Sequence, residues 1–231
     1  MILVIASRVD DAARDLVAEF PRGQAALLTC RDLSRPGWYI SNTSPASSTA
    51  VADGKRLRGS SIEGVLTLLP CVLPQELVHI VEDDRAYVAN EMTSFLLYWL
   101  FSLSCPVLNR PTSSCLSGPN WRTEQWLKAA YDLGIPVKHY VRSTRARAGQ
   151  IKKEDESLTV VTLVGDDCCG SDDDALCEQV RLLAKRAGVG LLSAHFYQEG
   201  GTNYLARAHT SVPLDSPQVR EAIGNYFWTK A

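Results

Sequence analysis

Residues 105–121, "CPVLNRPTSSCLSGPNW", join a short apolar run to a long polar one. The first residues are typical of a buried strand. The remainder is rich in Asn, Arg, Thr, Ser and Gly, and it leads into an amphipathic segment. In α/β proteins a polar loop of this kind lies at the carboxyl end of a parallel strand, where ligands bind. The stretch therefore predicts an α/β fold with a candidate site in this loop.

The residues before this loop alternate between strand and helix patterns. Apolar runs typical of strands in a buried parallel sheet occupy residues 1–7, 25–30 and 64–70. Helical spacing follows the aspartate pairs at 10–11 and 83–84, and the aromatic residues of the second helix are interpreted as core. We also expect a short strand at residues 38–40.

Two further elements complete this first half of the chain. Asp53-Gly54 is the favoured two-residue turn of a β-hairpin, so residues 49–59 predict an inserted hairpin. A helix is expected from Asn120, as its N-cap, to the stop at Gly134. Residues 1–142 therefore predict a small doubly wound parallel sheet.

The last third of the chain repeats the alternation in a different order. Residues 143–157 are polar and predict a linker or an exposed hairpin. Next comes a strand, followed by a helix with an acidic start and a basic end. Two strands turned at Gly200-Gly201 and a closing helix capped by Ser216 complete the chain. Residues 158–231 therefore predict a βαββα unit.

Composition excludes several classes of function. The formal net charge of −2 provides no basic field for nucleic acid or for an anionic membrane. Neither a signal peptide nor an apolar run long enough to span a membrane is found in the sequence, so we expect a cytoplasmic protein. The seven cysteines are expected to be free thiols, and without a C-x-x-C pair a structural zinc site is not expected.

The loop of residues 109–122 offers many hydrogen-bond donors beside a predicted helix N-terminus. Such a loop can cradle an anion or a carboxylate, with Trp121 and Trp126 as walls and Arg122 at the rim. The candidate ligand-binding residues are Asn109, Arg110, Thr112, Ser114, Ser117, Asn120, Trp121 and Arg122.

Three further groups are candidates for chemistry. His195 and His209 flank the Gly200-Gly201 turn and are expected to face each other, either as a metal or acid–base pair or as ordinary strand histidines. Cys115 lies near a predicted helix start, which favours a thiolate, but no histidine is tied to it. Cys168 and Cys169 precede an acidic run that raises a thiol pKa and that is most simply a helix N-terminus.

Three phrases, in order, carry a resemblance to a known family. They are the opening "MILVIAS", then "CPVLNRP" followed by a helix and "LGIPV", and finally "VVTLVGDDCC" with the closing strand pair and helix. Together they resemble ATP-grasp enzymes of the RimK and glutathione-synthetase type. The resemblance implies a pre-ATP-grasp-like domain at residues 1–142 and, at 158–231, a unit like the end of an ATP-grasp domain.

The chain departs from this family in two ways. Fewer than thirty residues separate Val137 from Val164, where the family carries the lid that holds ATP, and no Gly-rich phosphate loop occurs. His195, and the Arg207–His209 segment, stand where the family places acidic and Asn ligands for magnesium. Mg²⁺ demands hard oxygen ligands. The departures predict a shortened relative that lacks the lid and binds neither ATP nor metal in the family's way.

These observations favour a repurposed, non-catalytic protein that binds a peptide, a small carboxylate or a partner enzyme, accessory to peptide modification. A homodimer or a complex with a partner enzyme can restore a missing lid. Two alternatives remain open. One is an ATP-dependent carboxylate–amine ligase with a minimal lid, using ATP and Mg²⁺. The other is a metal- or thiol-dependent enzyme built on His195 and His209 or on Cys115.

Overall fold

The computed structural model describes residues 1–41, 43–44, 47–138 and 158–230. The predicted linker at 143–157 lies outside the described residues, and so do residues 139–142 of "IPVKHYVR", a segment at 135–142 whose composition favours a strand. What is described contains two four-stranded sheets and one separate hairpin.

The first sheet is parallel, in the order β2-β1-β5-β6. Its strands are β1 (Ile2–Ile5), β2 (Ala25–Leu28), β5 (Gly64–Thr67) and β6 (Val107–Leu108). All four residues of both β1 and β5 are buried, as the continuous apolar runs predict for strands covered on two faces.

Helices cover both faces of this sheet. α1 (Asp11–Glu19) begins at the Asp10 cap, whose Oδ1 accepts a hydrogen bond from the Ala13 amide, and it packs on one face. α3 (Arg85–Ser102) packs on the other face through a buried side that includes Trp99. The short α2 (Cys30–Leu33) follows β2. The predicted doubly wound α/β arrangement is confirmed.

The predicted hairpin is confirmed as β3 (Thr49–Ala52) and β4 (Lys55–Arg58). Asp53 and Gly54 both have positive φ, 48° and 69°, which a tight hairpin turn requires. The strand expected at residues 38–40 is reduced to one bridge, between Tyr39 and Thr49.

The second sheet is antiparallel, in the order β10-β9-β7-β8. Its strands are β7 (Thr159–Val164), β8 (Asp167–Cys169), β9 (Leu191–Glu199) and β10 (Thr202–His209). The βαββα prediction omitted β8. Gly165 adopts a φ of 62°, and this turn folds residues 167–169 back onto β7 instead of continuing it.

Three helices accompany the second sheet. α4 (Thr123–Asp132) and α5 (Asp174–Ala187) share a buried cluster with its inner face, and α6 (Pro217–Lys230) packs against both sheets. Asp173 caps α5, as the acidic run predicts. The predicted Asn120 cap of α4 is wrong. The helix starts later, with Arg122 as N-cap, because the Gln125 side chain accepts the Arg122 amide at 2.9 Å.

Asn109 connects the two sheets at the end of β6. Its side-chain amide donates to the Leu191 carbonyl at 2.7 Å, and its Oδ1 accepts the amides of Gly190 and Leu191 at 3.0 and 2.8 Å. Because Asn109 has a φ of 59°, its side chain leaves the strand toward β9. The carboxyl edge of the parallel sheet is thereby held against the start of β9.

None of the helices described is long and apolar enough to cross a membrane.

Candidate functional site

A cavity of about 340 Å³ lies at the carboxyl edge of the parallel sheet, between β1 and β5. In this sheet β2 lies on one side of β1, and the next strand of the sheet along the chain, β5, lies on the other. The gap between β1 and β5 is therefore the topological switch point, where α/β proteins bind ligands. The lining includes Asp10, Thr67, Leu68, Pro70, Cys115, Ser117, Pro119, Asn120, Trp121, Trp126, His209, Thr210, Ser211, Val212 and Leu214.

Thr67 places an unpartnered hydroxyl at the base of this cavity. It is the last residue of β5 and only 2% exposed, and its Oγ1 has no hydrogen-bond partner among the described residues. A buried hydroxyl without a partner costs about 1–3 kcal/mol. A polar group of a ligand, or a water, can remove that cost.

Two tryptophans form the wall contributed by the loop and α4. The ring centroids of Trp121 and Trp126 are 4.7 Å apart, with the rings tilted by 60°. Trp126 is 1% exposed and is fixed in the cluster between α4, α5 and the second sheet. The wall is therefore rigid, and it presents aromatic surface to whatever enters the cavity.

Three of the predicted ligand-binding residues line the cavity: Ser117, Asn120 and Trp121. The other five have different surroundings. The Asn109 side chain donates a hydrogen bond to the Leu191 carbonyl of β9. The guanidinium of Arg110 donates to the carbonyls of Leu103 and Cys105. The Thr112 hydroxyl donates to the Gly118 carbonyl at 3.3 Å. Ser114 and Arg122 are exposed.

His195 and His209 face each other across β9 and β10, with their Nε2 atoms 2.9 Å apart. The Nδ1 of His209 lies 2.6 Å from the Ser211 carbonyl oxygen, which can only accept, so this nitrogen carries a proton. A neutral His209 then accepts from His195 through Nε2. A charged His209 donates to it instead.

The pKa of His195 is lowered to about 4. The causes are its burial, the facing imidazole of His209 and the neighbouring guanidinium of Arg207. His195 is therefore neutral at physiological pH. Its partner His209 is the member of the pair that lines the cavity.

The cysteines differ in their surroundings. Cys115 is buried in the cavity lining, with its Sγ 3.6 Å from the Ser117 Oγ. Burial, then the neighbouring Cys177, raises the pKa of Cys168 to about 12, and burial, then Asp167, raises the pKa of Cys169. Both thiols of the 168–169 pair are protonated at neutral pH and are poor nucleophiles.

The facing side chains on β9 and β10 do not form a magnesium site. His195, Arg207 and His209 bring two imidazoles and a guanidinium together, whereas Mg²⁺ is held by carboxylate and other oxygen ligands. Within the described ranges, no group of three His, Cys, Asp or Glu side chains could hold a metal ion.

Sequence reasoning missed the parts of the site that come from distant segments. Thr67 lies in the middle of the apolar run at residues 64–70, and only the structure shows that β5 ends there. Asp10 belongs to the aspartate pair that precedes a predicted helix, and its pattern gives no sign of a place in the cavity. The segment 210–214 carries no pattern that predicts its place beside the loop. Its position follows from Val212 and Leu214, which pack in the cluster that α6 shares with the first sheet.

No protein-family model matches the chain, and no curated protein matches its sequence. Solved structures do match its fold. The macrocyclase MdnC bound with precursor peptide MdnA, from Microcystis aeruginosa MRC, aligns over 100% of both chains with a TM-score of 0.71 and 12% identity.

Two other solved structures show the same fold. A Chryseobacterium gregarium RiPP-associated ATP-grasp ligase, in complex with ADP and a leader and core peptide, aligns over 100% of this chain and 97% of its own, with a TM-score of 0.67 and 10% identity. A RimK domain ATP-grasp protein from Sphaerobacter thermophilus DSM 20745 aligns over 98% and 99%, with a TM-score of 0.56 and 13% identity. The resemblance to RimK-type ATP-grasp proteins is confirmed as a likeness of fold.

Proposed function

We propose that this chain binds a peptide through the cavity at the β1–β5 switch point, as a non-catalytic accessory of peptide modification. The cavity takes one or two side chains of the peptide, or its terminal carboxylate. The observation that carries this proposal is the buried Thr67 hydroxyl, unpartnered among the described residues, at the base of a cavity walled by Trp121 and Trp126.

The lining fits an amphipathic group. Its aromatic wall and the side chains of Leu68, Val212 and Leu214 favour an apolar body, while the hydroxyls of Thr67 and Ser117 can bond a polar end. At about 340 Å³, the cavity is at the small end of the range for ligand sites, which suits part of a peptide.

The fold neighbours support a peptide as the ligand. The Microcystis macrocyclase was solved with a precursor peptide, and the Chryseobacterium ligase with a leader and core peptide. At 12% and 10% identity, these likenesses are of fold.

The non-catalytic part of the proposal rests on the donor set on β9 and β10. A peptide ligase of this fold uses Mg-ATP to activate a carboxylate. The imidazoles of His195 and His209 and the guanidinium of Arg207 supply none of the oxygen ligands that Mg²⁺ requires.

An ATP-dependent carboxylate–amine ligase is the second candidate. It is favoured by the fold neighbour that was solved with ADP. It would need metal ligands other than those on the last two strands.

The metal- or thiol-dependent alternative lacks a third metal ligand among the described residues, and burial favours the protonated thiols of Cys168 and Cys169.

Peptide display tests the proposal. Octapeptides selected on the wild-type chain would be titrated by calorimetry against Thr67→Val and Trp121→Ala. We expect about tenfold weaker binding to Thr67→Val, which loses a hydrogen bond to the ligand, and a similar or larger loss for Trp121→Ala.

Trp228→Ala is the matched control, because Trp228 is 57% exposed on α6 and is absent from the lining of the cavity. It should bind the selected peptides as the wild type does. Equal binding of those peptides to wild type, Thr67→Val and Trp121→Ala would refute the proposed site, and so would a selection that enriches no peptide.

A further inference from the structure

A second cavity, of about 240 Å³, lies farther along the carboxyl edge of the parallel sheet, beyond β1 and β2. It is lined by Arg8 from the loop after β1, by Arg31 from α2, and by Glu76, Val78 and His79 from the segment after β5. Three separate segments of the chain thus bring two arginines to one concave surface.

Both guanidinium groups are unpaired within the part of the chain that the structure describes. Neither Arg8 nor Arg31 forms a side-chain hydrogen bond or an ion pair with any other described residue, and both side chains are exposed. By contrast, Arg220 bonds Glu19 and Arg110 bonds two carbonyls, so neither of those guanidinium groups is open to a ligand. The two guanidinium forks at this cavity are therefore available to bind a ligand.

The remaining polar residues of this cavity are held in place by the protein. Glu76 accepts a hydrogen bond from the Ser7 hydroxyl at 2.5 Å, and His79 Nε2 lies 2.8 Å from the Ser34 hydroxyl. One carboxylate therefore faces two guanidinium groups, and the cavity carries a net positive charge. Glu76 and His79 are therefore positioned before any ligand arrives.

We propose that this second cavity is a binding site for a small oxyanion, a carboxylate or a phosphoryl group, held by the guanidinium groups of Arg8 and Arg31, which line it together. The planar fork of each guanidinium matches two oxygens of such a group, and charge-assisted bonds of this kind are the strong ones. The site is separate from the peptide cavity, because residues 7–10 lie between them: Arg8 lines one and Asp10 the other. It does not depend on the proposed function.

Glu76 sets the strength of this site. Its carboxylate repels an incoming anion, so Glu76→Gln should tighten binding. The amide oxygen of the substituted side chain can still accept the bond from Ser7, so the wall stays in place. Non-specific binding of the anion to arginines far from Glu76 would show no such increase in affinity.

Calorimetric titration at low ionic strength, with inorganic phosphate in one arm and succinate in the other, tests the proposal. We expect at least one of the two anions to bind. The anion that binds more tightly shows whether the site prefers a phosphoryl group or a carboxylate. Arg8→Gln and Arg31→Gln should each weaken that binding about tenfold, because each removes a charge-assisted bond. Glu76→Gln should strengthen it.

Arg186→Gln is the control, since Arg186 is an exposed arginine at the end of α5. It should leave binding unchanged, and added salt should weaken binding in the wild type. The melting temperatures of the Arg8 and Arg31 variants should equal that of the wild type, because neither side chain has a partner to lose among the described residues. The proposal is overturned if neither anion binds, or if Arg31→Gln and Arg186→Gln bind the anion equally well.

Discussion

At the scale of single residues, Asn109 illustrates how a polar side chain can appear functional in sequence and be structural in the fold. It sits in a polar loop after a strand, as a ligand-binding residue would. Its amide nevertheless makes three hydrogen bonds to Gly190 and Leu191, which join the end of β6 to the start of β9. Sequence alone cannot distinguish these roles, because the partners lie in a distant segment.

Asn109→Gly should lower the free energy of unfolding by about 3 kcal/mol, because it leaves two buried donors and one acceptor unpaired. Glycine tolerates the φ of 59°, so this variant isolates the hydrogen bonds, whereas Asn109→Ala adds the cost of positive φ. Urea unfolding measures both variants. Asn120→Ala, at the exposed rim of the cavity, should stay within about 0.5 kcal/mol of wild type. A comparable loss in Asn120→Ala would contradict the assigned role of Asn109.

His195 should make the fold less stable as the pH falls. Its pKa is about 4 when folded and 6.5 in its ordinary state, so between these values the unfolded chain binds a proton that the folded chain does not. Its contribution is fully present above pH 6.5 and is lost as the pH falls toward 4. Its facing groups, His209 and Arg207, both oppose a charge on His195.

The measurement is the loss of unfolding free energy between pH 7 and pH 5, compared among variants. His195→Gln should lose less than the wild type, because it has no proton to gain. His79→Gln, which replaces an exposed histidine, should lose as much as the wild type. Identical losses in wild type and His195→Gln would show that the His195 pKa is not depressed.

At the scale of elements, Gly64 determines how closely α6 approaches the parallel sheet. A Cβ at Gly64 would lie 2.4 Å from Cδ1 of Phe227, which is 2% exposed and cannot move away freely. Gly64→Ala should therefore lower the free energy of unfolding by about 1–3 kcal/mol through overpacking.

Two further variants show whether the ring of Phe227 is the cause. Phe227→Leu should recover part of the loss when combined with Gly64→Ala, which a double-mutant cycle would measure. Gly224→Ala, inside α6 with its nearest neighbour at 3.9 Å, should instead stabilise the protein by up to about 1 kcal/mol. An additive cycle for Gly64 and Phe227 would contradict the packing argument.

Local signals predicted most elements because they act within a few residues. The Asp53-Gly54 turn, the Asp10 cap and the Asp173 cap each depend on neighbouring backbone. The elements that were predicted wrongly are those whose ends or turns depend on tertiary contacts. α4 begins at Thr123 rather than near Asn120, and β8 forms because Gly165 turns the chain back onto β7.

At the scale of the whole molecule, the site arises from the junction of the two sheets. Thr67 belongs to the parallel sheet and His209 to the antiparallel one, and they line one cavity because α6 and Asn109 hold the sheets together. The loop of residues 109–122 was predictable as the candidate site from its polarity. The opposite wall was not, because no periodicity in the sequence encodes long-range packing.

The central claim is that this chain has kept an ATP-grasp fold and a peptide-binding cavity without Mg-ATP chemistry. A thermal-shift titration with millimolar ATP and Mg²⁺ tests it most directly, because a ligand that binds the native state must raise its melting temperature. Because β9 and β10 present two imidazoles and a guanidinium rather than oxygen ligands for Mg²⁺, we expect the melting temperature to stay unchanged, as in a parallel titration with ATP and a chelator. A rise of several degrees that requires Mg²⁺ would contradict the claim and favour the ligase.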